Sequence, residues 1–214
     1  MITTKEPAEA AGVAGYVLAG GHSSRFGSDK ALAELGGKPM LLRMAELAKK
    51  VTGSAAVVGP LGRYEYFGFR ETGDRWPGAG PLGGIATALL DATESAPRSA
   101  WALILGCDLP YLSEEWLAYL AERAQKSAAE AVVPRSGGYL EPLCACYRVK
   151  AGPAIQEMMD GGLRKISAAL EKLKTEILDE ADWKRFDNAG KLFRNMNTFA
   201  DYGEIRAEWN EAGR

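Results

Sequence analysis

Short apolar runs alternate along the chain with segments whose apolar residues recur at helical spacing. The runs predict buried strands at Gly12–Ala19, Ala55–Val58, Trp101–Asp108, Ala131–Pro134, Pro142–Tyr147 and Thr175–Leu178. The helical spacing predicts helices at Pro39–Val51, Pro81–Ala92, from Ser113 onward, Pro153–Met159, Leu163–Leu173 and a last helix with Ile205 and Trp209 on one face. This alternation predicts βαβ units and an α/β fold, a three-layer αβα sandwich with a mostly parallel sheet.

Composition narrows the class of protein. The chain has 214 residues, of which 47% are hydrophobic and 25% charged, which is typical of one globular domain. The net charge of −2 gives no basic field that would attract nucleic acid. The sequence predicts no secretory signal and no apolar stretch of membrane length, so we expect no membrane partner and a cytoplasmic location. We predict a flexible leader at residues 1–11 and a single domain at residues 12–214.

The three cysteines are predicted to be reduced and buried. Cys144 and Cys146 alternate within an apolar run, so both face one side of a strand. A metal site at this Cys-x-Cys pair is the alternative, but it needs further ligands and the chain contains one histidine.

The segment from Leu18 to Lys30, LAGGHSSRFGSDK, combines glycines and serines with Arg25 and Lys30 after a predicted strand. Glycines allow backbone N–H groups to approach phosphate oxygens, and the two cations supply positive charge. The segment therefore predicts a polyphosphate-binding loop. It matches neither the dinucleotide nor the P-loop pattern, and a solvated turn is the alternative.

Asp108 ends the apolar run WALILGCD. In open α/β sheets ligands bind beyond the carboxyl ends of the strands, and Mg²⁺ prefers carboxylate and phosphate oxygens. Asp108 is therefore a candidate Mg²⁺ ligand, with a turn-capping role before Leu109-Pro110 as the alternative.

Other candidates have weaker support from the residues alone. Asp74 lies in the glycine-rich loop ETGDRWPGAG, where a turn role is expected. The segment 80–84 opens a helix whose N–H groups could face a phosphate, or simply allows close packing. Asn195 and Asn197 alternate toward one face and could recognise a heterocycle edge. The alternative for them is a turn before the last helix, capped by Thr198.

The loop LAGGHSSRFGSDKALAELGGKPML resembles the signature of the molybdenum-cofactor guanylyltransferases, LAGG-x-S-x-R-M/F-G-x-D-K. Further segments occur in that family's order: Asp74 before GPLGGI, then GCDLPY, EPLCACYR and NMNTFADY. The resemblance spans Gly15 to Tyr202. Phe26 stands where methionine is usual, and His22 fills a variable position, so no catalytic role is expected for it.

The resemblance implies a Rossmann-like fold of the nucleotide-diphospho-sugar transferase type. It implies a transferase that moves GMP from GTP to molybdopterin with Mg²⁺, giving molybdopterin guanine dinucleotide and pyrophosphate. The implied nucleotide-binding residues are Leu18, Ala19, Gly20, Gly21, Ser23, Arg25, Lys30, Asp74 and Asp108. The implied catalytic residues are Arg25, Lys30 and Asp108, with Asp108 as the metal ligand. The implied pterin-binding residues are Gly80, Gly83, Glu141, Asn195 and Asn197.

Three alternatives stay open on this basis: a molybdopterin cytidylyltransferase, a sugar-phosphate nucleotidyltransferase, and a non-catalytic module that delivers finished cofactor. Cytidylyltransferases usually have LAAG, whereas this chain has Ala19-Gly20-Gly21, which leaves room for a purine. Joint retention of Arg25, Lys30, Asp74 and Asp108 favours catalysis over delivery. Transient contact with molybdoenzymes or molybdopterin-insertion proteins is compatible with catalysis.

Overall fold

The structure is a computed structural model, and it describes residues 12–20, 26–27, 29–187 and 189–211. The predicted leader at residues 1–11 lies outside the described residues, and the single domain at residues 12–214 stays a prediction.

The strands form one large sheet and a small hairpin. In chain order they are β1 Val13–Leu18, β2 Glu34–Leu35, β3 Lys38–Pro39, β4 Ala55–Gly59, β5 Arg70–Gly73, β6 Trp101–Gly106, β7 Ala131–Ser136, β8 Tyr139–Leu140, β9 Cys144–Arg148 and β10 Thr175–Leu178. The large sheet has the order β5-β4-β1-β6-β9-β7-β10, with β8 paired to β7, while β2 and β3 pair separately. β9 runs antiparallel to both of its neighbours in the large sheet, and β8 runs antiparallel to β7. The other pairs of the large sheet are parallel.

The mostly parallel sheet is confirmed, and the reversed strand β9 has a simple cause. Residues 137–143 are all that connect β7 to β9. A parallel crossover needs a dozen or more residues, whereas a short connection returns the chain antiparallel. Gly137 and Gly138, with φ values of 55° and 85°, form the turn.

Helices cover both faces of the sheet. They are α1 Met40–Thr52, α2 Pro81–Ser95, α3 Glu114–Lys126, α4 Gly152–Asp160, α5 Ile166–Lys172, α6 Glu180–Trp183 and α7 Phe199–Glu211. Residues of α1, α3, α6 and α7 share one buried cluster with Val17 and Leu103 of the sheet. Residues of α2, α4 and α5 share the second cluster with Tyr16 and Ile104. Neighbouring strand residues thus face opposite clusters, which confirms the three layers.

The element boundaries shift by a few residues from those predicted. α2 continues to Ser95, α5 begins at Ile166 rather than Leu163, and β9 begins at Cys144 rather than Pro142. The edge strand β5, with the sequence RETG, lacks the apolar run on which the strand predictions rest.

Three further predictions concern the core and the helix ends. Ser113 caps α3 by accepting from the Trp116 backbone N–H, and Ile205 and Trp209 are both buried. Cys107, Cys144 and Cys146 are buried free thiols, as predicted.

Among the described residues, no helix has the length and apolar character needed to cross a membrane.

Candidate active site

Neighbouring parallel strands end together at the carboxyl edge of the sheet, and their loops are in close contact. The Ala19 N–H donates to the Val58 carbonyl at 2.8 Å, which joins the ends of β1 and β4. A Cβ on Gly20, where φ is 104°, would lie 2.7 Å from Pro60 Cδ. A Cβ on Gly59 would lie 2.6 Å from the Ala19 carbonyl oxygen. Glycine is therefore needed at both positions for the loops to meet.

Lys30 contacts two other predicted site residues, Asp108 and Asn197. Its Nζ lies 3.7 Å from Asp108 Oδ2, and it donates to Asn197 Oδ1 at 3.2 Å. The Lys30 side chain is 16% exposed and that of Asp108 is 24% exposed, so both border solvent without being free in it. Lys30 begins a 3₁₀ helix that Asp29 caps through the Ala31 N–H. The site therefore combines one cation, one carboxylate and one amide from three separate segments.

Asp108 follows β6 and anchors the segment that carries the asparagines. Its carbonyl accepts from the Met196 N–H at 2.8 Å. Met196 is fully buried, whereas Asn195 is half-buried and Asn197 is exposed. The Thr198 cap is also present: Thr198 and Asp201 exchange side chain to backbone hydrogen bonds at the start of α7.

Burial raises the pKa of Asp108, while the nearby Lys30 ammonium lowers it. A mostly buried carboxylate with one cation at 3.7 Å is a hard oxygen donor that favours a bound cation. Among the described residues, no group of three or more His, Cys, Asp or Glu side chains could hold a metal ion. The donor set fits a metal that takes few protein ligands and completes its shell with phosphate and water oxygens.

Glu141 lies beside this group. Burial and, to a smaller extent, the nearby Asp108 charge raise the pKa of Glu141, a hydrogen bond with Asn195 opposes the rise, and the net pKa is about 7. Glu141 follows β8, and its N–H donates to the Pro134 carbonyl at 2.9 Å. The predicted residues Glu141 and Asn195 are thus in the same group as Asp108.

Asp74, Gly80 and Gly83 belong to a neighbouring loop. Asp74 Oδ1 accepts from the Trp76 N–H at 2.9 Å and from Thr87 Oγ1 at 3.3 Å, which is the geometry of a turn residue. Gly80 caps α2 with φ of 77°. A Cβ on Gly83 would lie 3.2 Å from Trp76 atoms, so this glycine has a packing role. The contacts of these residues explain their identity without a ligand, and their predicted ligand roles stay predictions.

The start of α2 nevertheless touches the predicted nucleotide loop. A Cβ on Gly84 would lie 2.9 Å from Leu18 Cδ1, so the helix packs directly on the end of β1. Gly21, Ser23 and Arg25, together with His22, lie outside the described residues. Phe26 is buried against Phe199 and Tyr202, which gives the departure from methionine a packing role.

Two residues near the site could not be recognised from the sequence. Tyr64 and Arg63 both contact the Asp29 carboxylate from the loop after β4. A tyrosine and an arginine in this loop carry no sequence pattern that would signal the long-range contact with Asp29.

The family model for the MobA-like NTP transferase domain matches residues 15–174, which is most of the chain. The chain belongs to the MobA-like NTP transferase family. A relative from Pelotomaculum thermopropionicum, named "Probable molybdenum cofactor guanylyltransferase", is 32% identical over 94% of this chain and 96% of its own length. A relative of the same name from Deinococcus radiodurans is 33% identical over 92% of this chain and 95% of its own length.

Solved structures share the fold of this MobA-like NTP transferase. Molybdopterin-guanine dinucleotide biosynthesis protein A from Archaeoglobus fulgidus has a TM-score of 0.76 at 24% identity and covers 92% of this chain and 99% of its own. The 2-C-methyl-D-erythritol 4-phosphate cytidylyltransferase from Thermus thermophilus has a TM-score of 0.63 at 16% identity and covers 91% and 98%. The nucleotidyltransferase fold predicted from the sequence is confirmed.

Proposed function

We propose that this chain is a cytoplasmic, Mg²⁺-dependent enzyme that transfers GMP from GTP to molybdopterin, forming molybdopterin guanine dinucleotide and pyrophosphate. The observation that carries the proposal is the convergence of Lys30, Asp108 and Asn197 at the carboxyl edge of the sheet. The names of relatives from Pelotomaculum and Deinococcus, which align with nearly the whole chain, support the same activity.

In this reaction a terminal phosphate oxygen of molybdopterin attacks the α-phosphorus of GTP. The new P–O bond joins GMP to molybdopterin, the bond to the bridging α,β-oxygen breaks, and pyrophosphate leaves with that electron pair. No protein nucleophile takes part, so the chain contributes position and charge. Lys30 neutralises phosphate charge together with Arg25, a predicted partner.

Asp108 would hold Mg²⁺, which supplies charge neutralisation on the phosphates when bound. The chain's own residues define where the two substrates lie. Leu18, Ala19, Gly20, Gly21 and Ser23 are proposed to bind the nucleoside end by close backbone approach, with Asp74 beside it. Glu141, Asn195 and Asn197 are proposed to bind the pterin, with Gly80 and Gly83 at the opening of α2.

Lys30 contacts residues proposed for both substrates. Its ammonium lies near the carboxylate of Asp108, the proposed metal ligand, and donates to the amide of Asn197, a proposed pterin-binding residue. One residue can therefore orient donor and acceptor phosphates toward each other. A delivery module that only carries finished cofactor has no need of this arrangement.

Calorimetric titration of the protein with GTP, CTP, UTP and ATP, each with Mg²⁺ and with EDTA, tests the nucleotide part of the proposal. We expect GTP to bind at least about tenfold more tightly than the others, and the affinity to fall when Mg²⁺ is removed. Tighter binding of CTP would support the cytidylyltransferase alternative. Binding of no nucleotide would contradict the enzymatic proposal.

A further inference from the structure

Asp29, which directly precedes Lys30, is held by a distant loop. The Tyr64 hydroxyl donates to Asp29 Oδ2 at 2.8 Å, and Arg63 Nη2 lies 2.7 Å from the same oxygen. The other oxygen, Oδ1, accepts from the Ala31 N–H at 3.1 Å. Both carboxylate oxygens are thus engaged, and the Asp29 side chain is only 14% exposed. This arrangement fixes the direction in which the main chain enters Lys30.

Tyr64 is itself firmly placed. It is 1% exposed, and its backbone N–H donates to Glu71 Oε1 at 2.7 Å. The second oxygen of Glu71 accepts from the Gly62 N–H at 2.6 Å. Glu71 lies on β5, so the sheet edge fastens the loop that carries the tyrosine. Burial, with a smaller contribution from the Asp29 hydrogen bond, raises the pKa of the Tyr64 hydroxyl. The hydroxyl therefore remains a donor at neutral pH.

We propose that Tyr64 is a positioning residue for the transfer reaction: through Asp29 it holds Lys30 where its ammonium meets the substrate phosphates. This proposal rests on the function proposed above and deepens it. Lys30 Nζ reaches both Asp108 and Asn197 from a short 3₁₀ helix that Asp29 caps. A displacement of about 1 Å at a substrate-orienting group can lower turnover by about two orders of magnitude. Arg63 supports the same carboxylate oxygen from the solvent side.

The competing explanation is that Tyr64 only fills the core, since its ring belongs to the cluster formed with α1. The ring and the hydroxyl make separable contributions. Tyr64→Phe keeps the buried ring and removes only the donor to Asp29. Tyr66→Phe is the matched control, because Tyr66 lies in the same loop and is 66% exposed.

We expect Tyr64→Phe to lower kcat/KM for GTP by about tenfold, the scale of a lost hydrogen bond to a charged group. Tyr66→Phe should leave kcat/KM within about twofold of wild type. Arg63→Ala removes the second contact to Asp29 from a half-exposed position. It should lower kcat/KM in the same direction, and it serves as the test if Tyr64→Phe does not fold.

A double-mutant cycle with Lys30→Ala separates positioning from packing. If Tyr64 acts through Lys30, adding Tyr64→Phe to the Lys30→Ala protein should leave the residual turnover within about twofold of Lys30→Ala alone. The same tenfold loss in both backgrounds, or equal activities for Tyr64→Phe and Tyr66→Phe, would overturn the proposal. Calorimetry of the wild type with Mg²⁺-GTP distinguishes a failure of the proposed function from a failure of the positioning role. Failure of the wild type to bind would overturn the proposed function itself, and normal binding with an additive cycle would overturn only the positioning role.

Discussion

At the scale of single residues, the site depends on a cation and a carboxylate that are both mostly buried and lie close to each other. Lys30 and Asp108 are mostly buried and lie 3.7 Å apart, a separation that leaves room for each to turn toward a different ligand. A preorganised charge in such a place stabilises a transition state far better than the same charge in water. Removing either charge should therefore lower the turnover number strongly and change the free energy of unfolding little.

We predict that Lys30→Ala and Asp108→Asn each lower the turnover number by about 10²–10³, the usual cost of one preorganised electrostatic group. Asp108→Asn keeps the size of the side chain and removes its charge, so its Mg²⁺ requirement should also rise. Lys50→Ala is the matched control, because Lys50 is 65% exposed and pairs only loosely with Glu114 at 3.6 Å. Steady-state rates at saturating Mg²⁺-GTP measure the effect, and full turnover of either site variant would remove that residue from the mechanism.

At the scale of elements, the site depends on how closely the loops after β1 and β4 approach each other. Gly59 ends β4, and any side chain there would collide with the Ala19 carbonyl. Because the obstacle is backbone, the loop after β1 must move, and that loop is the proposed nucleotide site.

Gly59→Ala should therefore weaken GTP binding by about tenfold or more and lower the melting temperature. Gly203→Ala is the control, because Gly203 is exposed within α7 and a Cβ there meets nothing within 4 Å. Alanine should stabilise that helix by up to about 1 kcal/mol and leave binding unchanged. Calorimetry and thermal melts on both variants provide the comparison. Unchanged GTP affinity in Gly59→Ala would contradict the close loop contact.

A buried polar cluster fastens the edge strand β5 to the rest of the fold. Asp91 of α2 accepts from Arg70 at 2.6 and 2.9 Å, from the Tyr16 hydroxyl at 2.6 Å and from Ser95 Oγ at 2.9 Å. Burial alone would raise the pKa of Asp91, but the bonds from Arg70, Tyr16 and Ser95 outweigh it and lower the pKa to about 2.

The low pKa of Asp91 predicts that the free energy of unfolding decreases in acid. Because the pKa of Asp91 is lower in the folded chain than in the unfolded chain, where it is about 3.9, its stabilisation is complete above about pH 4. Up to about 2 kcal/mol should then be lost as the pH falls toward 2. Asp91→Asn should lower the free energy of unfolding at pH 7 and flatten its slope between pH 4 and 2. Urea melts across this range measure both, and an unchanged slope in Asp91→Asn would contradict the assignment.

At the scale of the whole molecule, the features that depend on local pattern were predictable. The apolar runs located β1, β4, β6, β7, β9 and β10 because a buried strand needs a continuous apolar segment. The glycine loop and Asp108 were recognised because both immediately follow such strands. The polar strand β5 and the contact of Tyr64 with Asp29 were not, since both depend on partners distant in sequence. The direction of β9 follows from a connection to β7 that is too short for a parallel crossover.

The proposed activity is defined by the nucleotide that is transferred and by the acceptor that receives it. The most direct measurement is mass spectrometry of the products formed from molybdopterin, Mg²⁺ and equal concentrations of GTP and CTP, with pyrophosphate release followed in parallel. We predict molybdopterin guanine dinucleotide as the main product, formed together with pyrophosphate, and a rate that Lys30→Ala lowers by about 10²–10³-fold. A cytosine dinucleotide as the main product, or no dinucleotide from protein that is folded and binds GTP, would contradict it.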